Sequence, residues 1–119
     1  MAKVNRFDFG SIVIDGKHYG YDVVVLPDGT VRERDAGKSR FGNHAIRKGE
    51  IEELAETKPD IIIVGTGTGG MATVSQDAES YARQAKLNLV VAPSSEAVAK
   101  LNQLVDEGKR AAALIHMTC

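Results

Sequence analysis

The first third of the chain alternates. Apolar and β-branched residues recur at every second position from Phe7 to Ile14, from Lys17 to Leu26 and from Thr30 to Arg34. Two turn dipeptides, Asp15-Gly16 and Asp28-Gly29, separate these runs. The spacing predicts three strands at about 7–14, 17–26 and 30–34. In the second, Lys17, Tyr19, Tyr21, Val23 and Val25 fall on one face. His18, Gly20, Asp22, Val24 and Leu26 fall on the other. Its end, Val23-Val24-Val25-Leu26, is apolar on both faces, so the strand leaves an exposed meander and enters a covered core.

The pattern then changes period. Residues 35–49, with Gly37, Gly42 and Gly49, read as a loop. Ile51, Leu54 and Ala55 have helical spacing, and Pro59 ends that helix. Three short apolar runs follow, at 61–64, 89–92 and 111–115, as expected of strands covered on both faces. Two amphipathic helices lie between them. One starts near Ser75 and buries Ala78, Tyr81, Ala82 and Ala85. The other starts near Ser94 or Ser95 and buries Val98, Leu101, Leu104 and Val105. Serine is a good N-cap, and Gly108 sits where a C′ glycine belongs. The order is β-α-β-α-β, which favours right-handed crossovers and helices on the sheet faces.

The length, 119 residues, suits a single domain spanning 1–119, with no repeat or linker. No apolar run approaches the roughly 18 residues of a membrane span, and the first six residues hold no apolar stretch of a secretory signal. One cysteine excludes an internal disulfide framework and fits a cytoplasmic location. A net charge of −1 and an aromatic content of 5% without tryptophan argue against a nucleic-acid partner.

Several stretches together carry a family likeness. They are Tyr19 to Asp22 leading to Pro27-Asp28-Gly29, then Lys58-Pro59-Asp60 leading to Gly65-Thr66-Gly67, then Glu96-Ala97-Val98 with Asn102. The last is Glu107-Gly108-Lys109-Arg110 running to His116-Met117-Thr118-Cys119. In these the chain resembles the small single-domain family of mitochondrial complex I assembly factor-like and adipogenesis-associated proteins, which has many bacterial and archaeal members. Leu101 stands where many relatives are aromatic. The resemblance implies an α/β, three-layer domain: a mixed sheet with an N-terminal antiparallel β-meander and a C-terminal β-α-β-α-β unit. It also implies an interaction role for some members. It implies no catalytic residues, because the family's activity is not established.

Two features suggest an anion. Gly65-Thr66-Gly67-Thr68-Gly69-Gly70 follows a predicted strand, and Gly65, Gly67 and Gly70 fit a dinucleotide-binding spacing. The context does not fit. The next helix starts too late, near Ser75, and no acidic residue ends the following strand to hold a ribose. No nicotinamide or flavin cofactor is expected. The glycines serve either as a wide turn or as a backbone cradle for a phosphate or carboxylate. The second feature is residues 32–48, where six basic side chains face two acidic ones. Arginine forks suit such anions, and a solvated charged loop is the alternative. The candidate ligand-binding set is Arg40, His44 and Arg47 from the loop with Gly65, Thr66, Gly67 and Gly69 from the turn. Glu50 and Asp60 flank it and are expected on the far sides of their elements.

Asp22 is the only charge inside its apolar strand. It is either a general base with a raised pKa or, more ordinarily, a carboxylate satisfied by backbone donors or an arginine. His18 is expected to be exposed. His116 and Cys119 make a weak metal pair, because positions three apart on a strand face opposite ways and zinc needs a third protein ligand. A carboxylate on Cys119 itself would raise the thiol pKa, so a structural or incidental role is expected. No metal is expected, and the oligomeric state stays open. The leading expectation is a binding or assembly-type module acting through a protein surface, with a candidate anion cleft. The alternative is a small enzyme with an anionic substrate. An enzyme should show polar side chains converging on a pocket, and a binding module should show exposed apolar groups.

Overall fold

The structure is a computed structural model that describes residues 2–34 and 45–118. The meander is built from β1 (Val4–Asp8), β2 (Ser11–Ile14) and β3 (Lys17–Tyr19), paired antiparallel in that order. Asp15 and Gly16 both have positive φ, 50° and 82°, as the two central residues of a type I′ hairpin require. The strand expected at 7–14 is two strands, because the chain reverses at Phe9-Gly10. The strand expected at 17–26 also divides. β3 stays in the meander, while β4 (Val23–Val25) enters the main sheet. The break at Gly20–Asp22 lets the Asp22 side chain turn to other partners, described below.

The main sheet has five strands. β4 pairs on one side with β5 (Val31–Glu33) and on the other with β10 (Ala111–Ile115), both antiparallel. β10 runs parallel to β7 (Ile61–Gly65), and β7 parallel to β9 (Leu89–Ala92). The order is β5-β4-β10-β7-β9. Among the described residues three helices cover it: α1 (Lys48–Glu56), α2 (Gln76–Gln84) and α3 (Ser94–Asp106).

The two faces follow from strand alternation. Val23, Val25, Ile63, Ala111, Ala113 and Ile115 pack with Leu101 and Leu104 of α3 and with Ile12 and Ile14 of the meander. Val24, Ile62, Val64, Ala112 and Leu114 pack with Ile51 and Leu54 of α1 and Ala78 of α2. The result is the expected three-layer mixed sheet with a meander.

Smaller differences have local causes. The loop expected at 35–49 gives way at its end to β6 (Ala45–Ile46) and the first turn of α1. β6 pairs parallel with β8 (Thr73–Val74), a two-residue ladder too short to show a period. Ala85 is exposed at the end of α2 rather than buried. Ser75 caps α2, accepting from the Ala78 N–H. Ser94 does not cap α3 but is its first residue, with its hydroxyl used elsewhere. At the far end, Gly108 N–H bonds Val105 C=O and Lys109 N–H bonds Leu104 C=O, which is the Schellman arrangement.

Candidate functional site

The charge buried in the second expected strand finds its partners at this end of the sheet. Asp22 follows the break between β3 and β4. His116 follows β10, so both lie where β10 emerges beside β4. The Asp22 Oδ2 atom accepts from His116 Nδ1 at 2.9 Å and from Arg34 Nη1 at 3.0 Å. Its Oδ1 accepts from the Met117 N–H at 2.8 Å. Arg34 then reaches Glu50 in the first turn of α1 through two bonds, Nε to Oε2 at 2.6 Å and Nη2 to Oε1 at 2.9 Å. Glu50 also accepts from the Arg47 N–H, which ties the knot to the start of the helix. Asp22, Arg34, Glu50 and His116 are all buried. Every fully buried side-chain polar atom among the described residues has a partner. That is the condition under which buried charge is tolerable.

Burial is the largest single influence on Asp22 and would raise its pKa. Hydrogen bonds from His116 and the Met117 N–H outweigh it, with help from the imidazole's charge and from Arg34, so the carboxyl is held below its ordinary value. Burial likewise opposes the Arg34 charge, and the Glu50 and Asp22 carboxylates more than restore it. Asp22 is therefore ionised and acceptor-only at neutral pH. Asp22 is thus a carboxylate satisfied by a backbone donor and an arginine, the more ordinary of its two expected roles.

Three residues after β10 are held at almost every backbone group. His116 N–H donates to Gly65 C=O, and His116 C=O accepts from the Ser94 hydroxyl at 2.6 Å. Met117 C=O accepts from Gly10 N–H, and Thr118 C=O accepts from Thr68 N–H. The glycine turn thus serves the chain itself. Thr66 N–H bonds Ala92 C=O, Gly67 N–H bonds the Ser94 hydroxyl, and Gly70 N–H bonds Gly67 C=O. Gly65 is required by contact. A Cβ there would lie 2.7 Å from Ser94 Oγ and 3.2 Å from Ala97 Cβ, so α3 could not approach β7.

The residues expected to form an anion cleft are therefore placed as follows. Gly65, Thr66 and Gly67 are buried, with the Thr66 and Gly67 amides spoken for, and Gly69 is exposed. Arg47 stands at the N-cap position of α1 and lines an open groove with Glu52, Glu53 and Glu56. Arg40 and His44 lie outside the described residues. Glu50, expected on the far side of its helix, instead points into the charge knot. Asp60 accepts from the Arg110 N–H. His18 is exposed and bonds Ser11.

A cavity of about 270 Å³ opens beside the knot, lined by Gly20, Tyr21, Asp22, Glu33, Arg34, Met117 and Thr118. One aromatic residue, Tyr21, lines it, and a second, Phe9, lies nearby in the chain next to Gly10. Tyr21 is 43% exposed and Phe9 65% exposed. Gly10, next to Phe9, bonds Met117 C=O, and its own carbonyl approaches Gly20, next to Tyr21. The sequence singles out Asp22 and the alternative of an arginine partner. It does not pair Asp22 with Arg34, Glu50 or His116. The only available signal is that Arg34 ends an alternating run and Glu50 opens a helix on its apolar side.

Fold and site together define a three-layer α/β domain whose C-terminal segment is locked to a buried Asp–Arg–Glu–His cluster. A family model described as "Protein of unknown function (DUF498/DUF598)" matches residues 4–116. The chain belongs to this family. It is similar to the solved structure "MT938", with 33% identity, a TM-score of 0.87 and all of both chains covered. It is also similar to the conserved hypothetical protein PH1505 from Pyrococcus horikoshii OT3, with 29% identity and a TM-score of 0.87, covering 98% of this chain and 99% of that one. A Bordetella pertussis protein described as a Mth938-like domain shares the fold at 14% identity and a TM-score of 0.64, over 98% of this chain and 85% of that one.

Proposed function

We propose that this domain is a binding or assembly-type module that docks a protein partner over the Phe9–Tyr21 rim. The observation that carries this is the exposure of two aromatic residues, Tyr21 in the cavity wall and Phe9 next to Gly10, whose N–H bonds Met117 of the same wall. Exposed aromatics on a fixed frame are the residue types that dominate interface energetics. The family resemblance to assembly factors supports the same reading. The test is site-specific photocrosslinking from Phe9 and Tyr21 in cells, with Val91 as a second exposed apolar position. A discrete adduct from the two rim positions, lost in Phe9→Ser and Tyr21→Ser, is expected. Equal adducts from Val91, or none at the rim, would overturn it.

A small anion between loop and turn is the second reading, held by Arg40, His44 and Arg47 with Gly65, Thr66, Gly67 and Gly69. It is favoured by the β6–β8 pair, which brings the end of the loop beside the segment that follows the turn. Of the turn's backbone donors only the Gly69 amide is both exposed and without an acceptor among the described residues. A phosphate titration followed by amide shifts tests it. Salt-sensitive shifts at Gly69, abolished by Arg40→Ala or Arg47→Ala, are expected, and their absence at millimolar phosphate removes this reading.

A further inference from the structure

We propose that β9 is a self-association edge, where a second copy of this chain pairs antiparallel with it about a two-fold axis at Val90. This goes beyond the docking reading and uses another part of the molecule. Tyr21 adjoins β4, and β10 and β7 stand between β4 and β9. The five-stranded sheet ends on β5 and β9, and the two edges are unlike. β5 is three residues long and carries Arg32 and Glu33, charges that discourage a further strand. β9 is Leu89-Val90-Val91-Ala92, with no charge and no proline. None of its residues is buried, whereas all of β10 is, and Val91 is 47% exposed.

The register fixes which backbone groups of β9 face outward. Ile62 N–H bonds Asn88 C=O, and Thr66 N–H bonds Ala92 C=O. Positions 88, 90 and 92 therefore turn their backbone groups to β7, while 89 and 91 turn theirs away. The N–H and C=O groups of Leu89 and Val91 have no strand to pair with among the described residues. These four groups complement themselves. With Val90 opposite Val90 in antiparallel copies, Leu89 of each copy stands opposite Val91 of the other. Each such pair exchanges two N–H···O=C bonds, so every outward group of both strands is satisfied. A two-fold contact of this kind closes at two copies.

The side chains agree. Leu89 packs with the α1–α2 face of the sheet, and Val91, two residues on, shares that face. The exposed Val91 of one copy thus meets Leu89 of the other. Glu79 of α2 lines the groove beside Val91. Arg83, four residues on, lies on the same flank in the last turn of α2, nearer the start of β9. The two-fold rotation exchanges the ends of β9, so Glu79 of each copy faces Arg83 of the other. Opposite charges therefore meet across the axis twice.

The test follows the full chain by analytical ultracentrifugation over a concentration series, together with amide hydrogen exchange. A species of twice the chain mass is expected, with exchange at Leu89 and Val91 slowing as it fills. Val91→Lys places a charge on the edge and should raise the dimer Kd by about tenfold or more. Circular dichroism checks that this variant is folded, and the exchange pattern of the parent needs no variant. Glu79→Arg and Arg83→Glu should each raise the Kd severalfold, and the two together should restore it. A crosslink from Val91 in this dimer has twice the chain mass, which keeps it apart from an adduct to another protein at Phe9 or Tyr21. Monomer mass up to about 1 mM would overturn the proposal. So would a dimer that Val91→Lys leaves intact, or one whose protected amides lie away from β9. An extended peptide of foreign sequence binding β9 of a chain that stays monomeric would also overturn it, by giving the edge another occupant.

Discussion

His116 and Asp22 are 94 positions apart in the sequence, yet the imidazole Nδ1 lies 2.9 Å from the carboxylate Oδ2. The contact closes the chain's C-terminal segment onto the break between the meander and the main sheet. It sits in one knot with Arg34 and Glu50, so titration and stability are linked at this point.

The first prediction is an acid-sensitive stability set by Asp22. Its folded pKa lies below the ordinary value of 3.8. Beneath about pH 4 the unfolded chain therefore takes up the proton before the folded chain does. More protons on the unfolded state mean that stability falls as pH falls. This contribution is fully present above the ordinary carboxyl value and is lost on the way down through the folded one. Urea midpoints measured from pH 7 to pH 2.5 should drop at the acid end. Asp22→Asn should cost about 1–3 kcal/mol at pH 7 and flatten that drop. An unchanged acid slope in the variant would assign the effect to other carboxylates.

Arg34 bridges the knot, with Glu50 on one side and Asp22 on the other. Arg34→Met leaves the buried Asp22 and Glu50 carboxylates without their shared guanidinium. A loss of about 3–5 kcal/mol is expected from breaking a buried pair on one side only. The exposed Lys3–Asp106 pair provides the contrast, since Lys3→Ala should cost less than about 1 kcal/mol. Denaturant unfolding of the two variants side by side checks the ranking.

The second half of the fold is legible in the sequence because each element there exceeds its own period. Ile61–Val64 and Ala111–Ile115 are uninterrupted apolar runs, and α3 carries Val98, Leu101 and Leu104 on one side. The meander is legible only as alternation. Alternation does not mark where a strand changes sheets, so the breaks at Phe9-Gly10 and Gly20–Asp22 stay hidden. The glycine turn is ambiguous for a related reason. Its spacing says that backbone approaches something closely, and the structure shows that this is α3 and the His116–Thr118 segment. Local charge misleads. Arg34 reads with the basic loop because the sequence does not show that its guanidinium turns inward to carboxylates 12 and 16 positions away.

Gly65→Ala tests the close approach of α3. A Cβ at 2.7 Å from Ser94 Oγ and 3.1 Å from Ser94 Cα meets backbone as well as side chain, so the helix must shift. A cost of about 1–3 kcal/mol is expected, as for an overpacked core. The same change at Gly49, where a Cβ meets nothing, should be neutral or stabilising. Equal melting temperatures for both variants would show that the contact is slack.

β10 lies at the centre of the sheet, and Leu114 and Ile115 face opposite layers. Leu114→Ala opens a cavity against α1 and α2, and Ile115→Ala opens one against α3 and the meander. Each should cost about 2–5 kcal/mol. Because the two side chains belong to separate clusters, the double variant should be close to additive. A loss below about 0.5 kcal/mol for either would place that side chain at the surface.

Asn102 joins the meander to α3. Its Oδ1 accepts from Val4 N–H and its Nδ2 donates to Val4 C=O, both at 2.8 Å. The side-chain amide thus replaces a neighbouring strand for β1 at the point where the β1–β2 register shifts. Asn102→Asp keeps the acceptor but sets a carboxylate oxygen against the Val4 carbonyl, which loses its donor. A cost of about 1–3 kcal/mol is expected. The effect should be local, because β1 pairs with one strand while β10 is enclosed by two. Hydrogen exchange should therefore speed up at Val4 and Arg6 well before it does at Ala112–Leu114. Uniform acceleration across the chain would instead make Asn102 part of the global folding unit, with the meander and the five-stranded sheet unfolding together.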